Sequence, residues 1–203
     1  MGSYYTYFDR LHPQWRLADR HTYIRCRVEQ ATAGRGAAGP DLPVAVLELP
    51  FVAGRAGDRL PNWAGPLDAW ARSRSPLVAP RGGTAVTAAS TVAQAAADAL
   101  DHASGEDIPV ADDNLAWREL FAEIAEAVGR PRRVRQLPDG AVRSALALGG
   151  ALHGLIGKES GIAVGHFANL LLADLFIEPV TGRSVVPALQ ETFPRTPNQR
   201  TGR

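Results

Sequence analysis

The chain has a single cysteine, Cys26, in 203 residues, which excludes an intramolecular disulfide and points to a reducing compartment. It opens without the basic, apolar and small-residue order of a secretory leader, so the cytoplasm is the expected location. Long apolar runs are missing too. The longest weakly polar stretch, residues 145–157, is interrupted by His153 and several glycines and falls short of the roughly 20 apolar residues that cross a bilayer. An excess of either charge is absent: 22 basic and 21 acidic side chains leave a formal +1 with no long block of one sign. That balance disfavours nucleic acid and membrane as partners and favours a small molecule. His12, His21, His102, His153 and His166 show no ligand spacing with one another or with Cys26, so no metal is expected. What remains is a chain 45% hydrophobic, enough for one substantial core or one core and a smaller lobe.

The pattern along the chain alternates helix and strand. Residues 3–8, rich in tyrosine, read as the end of a strand, and residues 9–20 as a polar loop. A helical pattern covers 21–33, a Gly/Pro-rich turn 34–43, and a buried strand 44–49 that Pro50 ends. Residues 54–83 carry many Gly, Pro and Trp and read as an irregular lobe over a site. Beyond it the sequence predicts a helix over 87–102 and a strand over 107–111. Asp112, Asp113 and Asn114 then offer caps for a helix in which Leu120, Phe121, Ile124, Ala125 and Val128 recur at helical spacing until Gly129 and Pro131. A short strand over 133–137, helices near 139–155 and 162–176, and a tail from about Pro194 with a disordered composition complete the reading. The fold class this predicts is α/β.

One segment carries a mechanism. In Tyr23-Ile24-Arg25-Cys26-Arg27 a four-residue step on a helix makes the phenol and the guanidinium neighbours on one face. A nearby cation favours phenolate, which is what a tyrosine needs to exchange a proton with an alcohol or carbonyl. Cys26 within this segment reads as a small buried thiol; Glu48 in its apolar strand could face the site or reach the strand edge, and exposure at the edge is the expected reading. Trp63, Trp70 and Trp117 read as lobe and core packing, with Trp63 a candidate wall for a substrate. Gly34-Arg-Gly36-Ala-Ala-Gly39 formally matches G-x-G-x-x-G, but it follows a helix and opens a strand, the reverse of a phosphate-binding turn; it and Gly82-Gly83 read as plain turns.

The order of landmarks adds to the pair. Ser3-Tyr-Tyr-Thr-Tyr, Tyr23-Ile-Arg-Cys-Arg-Val-Glu-Gln30, Leu42-Pro-Val-Ala-Val-Leu-Glu-Leu-Pro-Phe-Val-Ala-Gly54 and Asp113-Asn-Leu-Ala-Trp-Arg-Glu-Leu120 resemble successive landmarks of the NAD-dependent epimerase/dehydratase family, the extended short-chain dehydrogenases/reductases, from residue 3 to about 138. The resemblance implies the carboxyl-terminal part of a Rossmann-like, doubly wound fold with a mainly helical substrate lobe. Residues 1–58 would be a remnant of the dinucleotide-binding domain with its catalytic helix, 59–193 the lobe interleaved with the last Rossmann elements, and 194–203 a tail. It further implies Tyr23 as acid/base, Arg27 at the family's lysine position beside the nicotinamide ribose, and Ser3 as hydrogen-bond partner of the substrate oxygen. Pro50, Phe51 and Val52 would lie near the nicotinamide end of NAD or NADP, and Asn62 and Trp63 would help to enclose a small hydroxyl- or carbonyl-bearing substrate.

Two departures qualify the resemblance. Arginine's planar fork cannot lose its proton and approaches a ribose differently from lysine. The first strand, glycine turn and helix that hold a pyrophosphate are not in these 203 residues. Three readings therefore stand: a shortened NAD(P)-dependent oxidoreductase, epimerase or dehydratase; a non-catalytic relic or small-molecule sensor on the same scaffold; and an interaction module whose open sheet edge pairs with another chain, a homo-oligomer included.

Overall fold

The computed structural model describes residues 1–155, 161–178 and 180–195. Its first strand is only Gly2–Ser3 (β1), because Ser3 is extended and at once becomes the N-cap of a helix, its Oγ accepting the Tyr5 N–H at 3.4 Å. That helix, Tyr4–Leu11 (α1), replaces the expected strand end at 3–8. Tyrosine's preference for strands is overridden by burial: Tyr4, Tyr5 and Phe8 share one helical face and are all removed from water. The expected loop at 9–20 is likewise coiled, with a 3₁₀ turn at Pro13–Trp15 and a short helix at Leu17–Arg20 (α2). Asp9 Oδ1 holds its start by accepting the Leu17 and Ala18 N–H groups at 2.7 and 3.2 Å.

Thr22–Ala38 (α3) runs five residues into the expected turn, through Gly34 and Gly36, and stops at Gly39, whose φ of 73° suits glycine. Two exposed helical glycines cost about 1 kcal/mol each relative to alanine. Arg35 offsets this in the last turns by reaching Val44 O at 3.3 Å and Asp107 Oδ1 at 2.7 Å. Val46–Leu49 (β2) follows, and Pro50 separates it from Phe51–Ala53 (β3). Lacking an N–H, proline cannot continue the ladder, and the chain passes here from one sheet to another.

The stretch 54–83 is less irregular than its composition suggests, for it contains Ala64–Arg72 (α4) and Leu77–Ala79 (β4). Gly83–Ala88 (β5) takes the first residues of the expected helix, which begins as Ala89–Asp101 (α5). Asp107–Pro109 (β6), Asp113–Ala116 (β7), Trp117–Ala127 (α6), Val134–Gln136 (β8), Asp139–Leu155 (α7), Val164–Leu172 (α8), Asp174–Leu175 (β9) and Val186–Thr192 (α9) complete the order. The expected tail from 194 lies mostly outside the described residues.

The strands form a parallel sheet β1-β2-β6, a second sheet in which β5 pairs in parallel with β3 and β9 and antiparallel with β7, and a parallel pair β4-β8. Gly82 and Gly83 are not a plain turn. A Cβ on Gly82 would lie 2.6 Å from Leu171 O and one on Gly83 2.7 Å from Leu115 O, so glycine is required for these backbones to approach. Asp112 does not cap α6 either. It is buried before β7 and serves the start of α5, accepting the Ala88 N–H at 2.7 Å and the hydroxyls of Thr91, Thr87 and Thr181. Burial alone would raise its carboxyl, but these donors outweigh that and hold it below the usual carboxylate range.

Glu48 is the largest correction. Expected at a sheet edge, it sits in the middle strand β2 with none of its surface exposed. The Thr6 hydroxyl donates to it, and Arg10 grips it in a two-pronged bond at 2.8 and 2.7 Å. Arg10 also approaches Asp107 at 3.3 Å, and Asp107 pairs with Arg35 at 2.7 Å, so one charge network links α1, β2, β6 and α3. Removing Arg10 leaves a buried carboxylate without its cation. Arg10→Ala should cost about 2–4 kcal/mol in urea unfolding, at the low side of the range for breaking a buried pair because the guanidinium is 48% exposed. Arg35→Ala, which breaks a wetter pair, should cost under about 1 kcal/mol.

Candidate functional site

α3 is a regular helix where Tyr23 and Arg27 stand, so the four-residue step does bring them together: Arg27 Cζ lies 5.1 Å from the centroid of the Tyr23 ring. The guanidinium covers the ring face, and its Nη1 donates to Gln30 Oε1 at 2.8 Å. Among the described residues no hydrogen bond joins it to the phenol oxygen. Tyr23 is half-buried against the cluster of Tyr4, Tyr5, Phe8 and Ile24, and its N–H donates to Gly161 O at 2.7 Å. Arg27 opens onto a cleft with Thr6, Arg10, Arg35, Glu48 and Asp107. Cys26, expected to be buried, is exposed, because α3 turns this side of its surface to solvent and buries only Ile24.

Ser3 is buried, and its hydroxyl is engaged by the Tyr5 N–H of its own helix. The residues after it were missed as members of this region. Tyr4 Oη pairs with Thr84 Oγ1 at 2.9 Å, and the Tyr4 and Tyr5 rings stand 4.5 Å apart. Burial pushes both phenols above their ordinary value, and Tyr23 lies close enough to add to the rise in each. The signal was the aromatic spacing Tyr4, Tyr5, Phe8, which fits one helical face once the segment is read as a helix.

The other sequence candidates lie elsewhere. Pro50 is half-buried between β2 and β3. Val52 packs on the cluster of Leu47, Val92 and Val110. Phe51 meets Trp63 at 5.4 Å and Trp117 at 5.5 Å, while Trp63 also contacts Phe193 at 5.7 Å. Asn62 is exposed just before α4. The structure thus joins Tyr23 with Arg27 and Phe51 with Trp63, with no hydrogen bond or ring contact among the described residues connecting the two pairs.

A dinucleotide needs open backbone N–H groups at a helix start. Gly34 and Gly36 lie inside α3 and Gly39 closes it, the wrong end of a helix. The backbones at Gly82 and Gly83 are packed against those near Leu171, Ala173 and Leu115. Among the described residues neither glycine cluster therefore offers the pyrophosphate of an NAD(P) a cradle. Among the described residues no three His, Cys, Asp or Glu side chains group as a metal set, and no helix is long and apolar enough to cross a membrane.

No protein-family model matches this chain, and no curated protein matches its sequence. Solved structures match its fold. The crystal structure of gox2253 is similar with a TM-score of 0.59 at 16% identity, and a nucleoside-diphosphate-sugar epimerase from Pseudomonas aeruginosa with a TM-score of 0.54 at 22% identity. A UDP-glucose-4-epimerase from Stenotrophomonas maltophila, solved with NAD and formylated UDP-arabinopyranose bound, gives 0.48 at 16% identity. Each likeness covers 84% of this chain and 53% of the other, so the chain spans about half the length of the structures it matches. At these identities the likeness establishes the fold: an α/β architecture with parallel sheets corresponding to about half of a Rossmann-type epimerase chain.

His21, which shows no ligand spacing in the sequence, anchors the start of α3. It is 1% exposed, its carbonyl accepts the Ile24 and Arg25 N–H groups, and its Nδ1 accepts the Ala163 N–H at 3.1 Å. Burial lowers its affinity for a proton, helped by His166 and Arg20 nearby. A folded-state pKa below the unfolded value near ~6.5 means that the unfolded chain takes up the proton first. Stability should be full above about pH 6.5 and decline as pH falls from there through the folded pKa. Urea midpoints between pH 7.5 and pH 5.5 should show this slope in the wild type and lose it in His21→Asn, whose Oδ1 can still accept the Ala163 N–H.

Proposed function

We propose that this chain is the catalytic-helix half of an NAD(P)-dependent oxidoreductase, epimerase or dehydratase-like protein acting on a small hydroxyl- or carbonyl-bearing substrate. Tyr23 is its acid/base and Arg27 the electrostatic partner. The observation that carries this reading is the pairing itself: a guanidinium 5.1 Å from the phenol ring, on a helix packed beside a parallel sheet of epimerase-like fold. In this reading Tyr23 Oη exchanges a proton with the substrate oxygen, and the fixed positive charge of Arg27 favours the ionised phenol. Ser3, at the carboxyl end of β1, is the substrate's second hydrogen-bond partner; it must exchange its long bond to the Tyr5 N–H for that role. Pro50, Phe51 and Val52 form the floor near the nicotinamide, and Asn62 and Trp63 belong to the substrate lobe.

A second reading, a non-catalytic relic or small-molecule sensor, is favoured by one observation: Arg27 covers the ring face and bonds Gln30 instead of the phenol oxygen. A side chain spent in this way leaves the tyrosine a packing residue.

Because neither glycine cluster among the described residues cradles a pyrophosphate, calorimetric titration of the 203-residue chain with NAD or NADP should give no micromolar binding. Micromolar affinity would overturn the half-fold reading. In a longer form that also carries a strand, glycine turn and helix, Tyr23→Phe should lower turnover by at least about 100-fold with cofactor affinity retained. Unchanged turnover would remove Tyr23 from the chemistry and leave the sensor reading.

A further inference from the structure

A separate cleft of about 280 Å³ opens between α2, the start of α3 and α8, and Tyr23 does not line it. That volume is near the small end of the range for small-molecule sites. Trp15, Leu17 and Leu170 supply apolar walls. On the polar side Arg20, His21 and Asn169 offer donors, beside Gln14 and His166.

His21 is the central one. Since its Nδ1 accepts the Ala163 N–H, the ring proton belongs on Nε2. That N–H has no acceptor among the described residues and is not sealed from water, so it stands open to whatever fills the cleft. Arg20 lines the same cleft and has no carboxylate partner among the described residues; the neighbouring Asp19 is taken by Arg16 at 2.7 Å. Asn169 spends its carbonyl oxygen on Arg143 at 2.8 Å, which leaves its amide hydrogens to be used. No acidic side chain lines the cleft. The lowered proton affinity of His21, caused by burial, His166 and Arg20, keeps the ring neutral and fixes it as a single donor.

We propose that this cleft binds a small organic carboxylate, its charged end received by Arg20 and His21 Nε2–H and its apolar body laid against Trp15 and Leu170. One exposed cation with the neutral donors of His21 and Asn169 suits a monoanion better than a phosphate, and the apolar walls call for a hydrophobic body. The site stands whether or not Tyr23 is an acid/base, because none of its donors belongs to the Tyr23–Arg27 pair.

Benzoate, titrated into the wild-type chain and followed by the His21 ring ¹⁵N–¹H correlation and by calorimetry, tests it. The expected result is saturable binding that shifts the Nε2–H signal, with neutral benzamide at least about tenfold weaker. Arg20→Gln, a change at an exposed and unpaired side chain that leaves packing intact, should weaken benzoate about tenfold and leave benzamide unchanged. No saturation, equal binding of benzoate and benzamide, a motionless His21 signal, or an Arg20→Gln variant that binds like the wild type would each overturn the proposal. Inorganic phosphate binding more tightly than benzoate would overturn its assignment to a carboxylate.

Discussion

A carboxylate with no access to water must be matched by a cation, and the Glu48–Arg10 grip meets that demand at the centre of the parallel sheet. The consequence is geometric as much as energetic. Arg10 lies near the end of α1, so α1 has to cross β2 closely enough for a two-pronged bond, which ties the residues after β1 into place. Asp107 extends the linkage to Arg35 in the last turns of α3. The helix bearing Tyr23 and Arg27 is thus fixed at one end by this network and at the other by the Tyr23 N–H bond to Gly161 O and the Ala163 N–H bond to His21 Nδ1.

Pro50 organises the molecule at the next level. By ending β2 and letting β3 begin in a different sheet, it sends the chain from the layer that carries α3 to the one built on β5. Phe51, on the far side of this switch, anchors the second core with Trp63 and Trp117, whereas Tyr4, Tyr5 and Tyr23 belong to another. The two groups of residues for which the epimerase resemblance suggested a common site therefore fall in adjoining cores. A substrate touching both would have to bridge them.

Local pattern was legible where periodicity and punctuation agreed. Leu120, Phe121, Ile124, Ala125 and Val128 do form the buried side of α6, and Gly129, with φ of 77°, does end it. Pro50 ends β2 as read, and the step from Tyr23 to Arg27 gives adjacency. What was hidden depended on partners remote in sequence. Tyr4 and Tyr5 favour strand by type and become helical because a core receives their face; α3 outlasts its glycines because Arg35 finds Asp107. Asp112 looked like a cap for the helix just after it and instead serves one that precedes it in the chain. Glu48 gave no sign of Arg10, thirty-eight residues earlier. His21 was bland because its importance lies in a backbone N–H on the far side of the sequence.

Cys26 shares its helix with Tyr23, faces solvent, and is the only thiol in the chain. A maleimide dye or nitroxide would therefore attach at one defined point without removal of competing sulfhydryls. Its tumbling would report on the rigidity of that helix from outside the packed side, an internal reference that the molecule already carries.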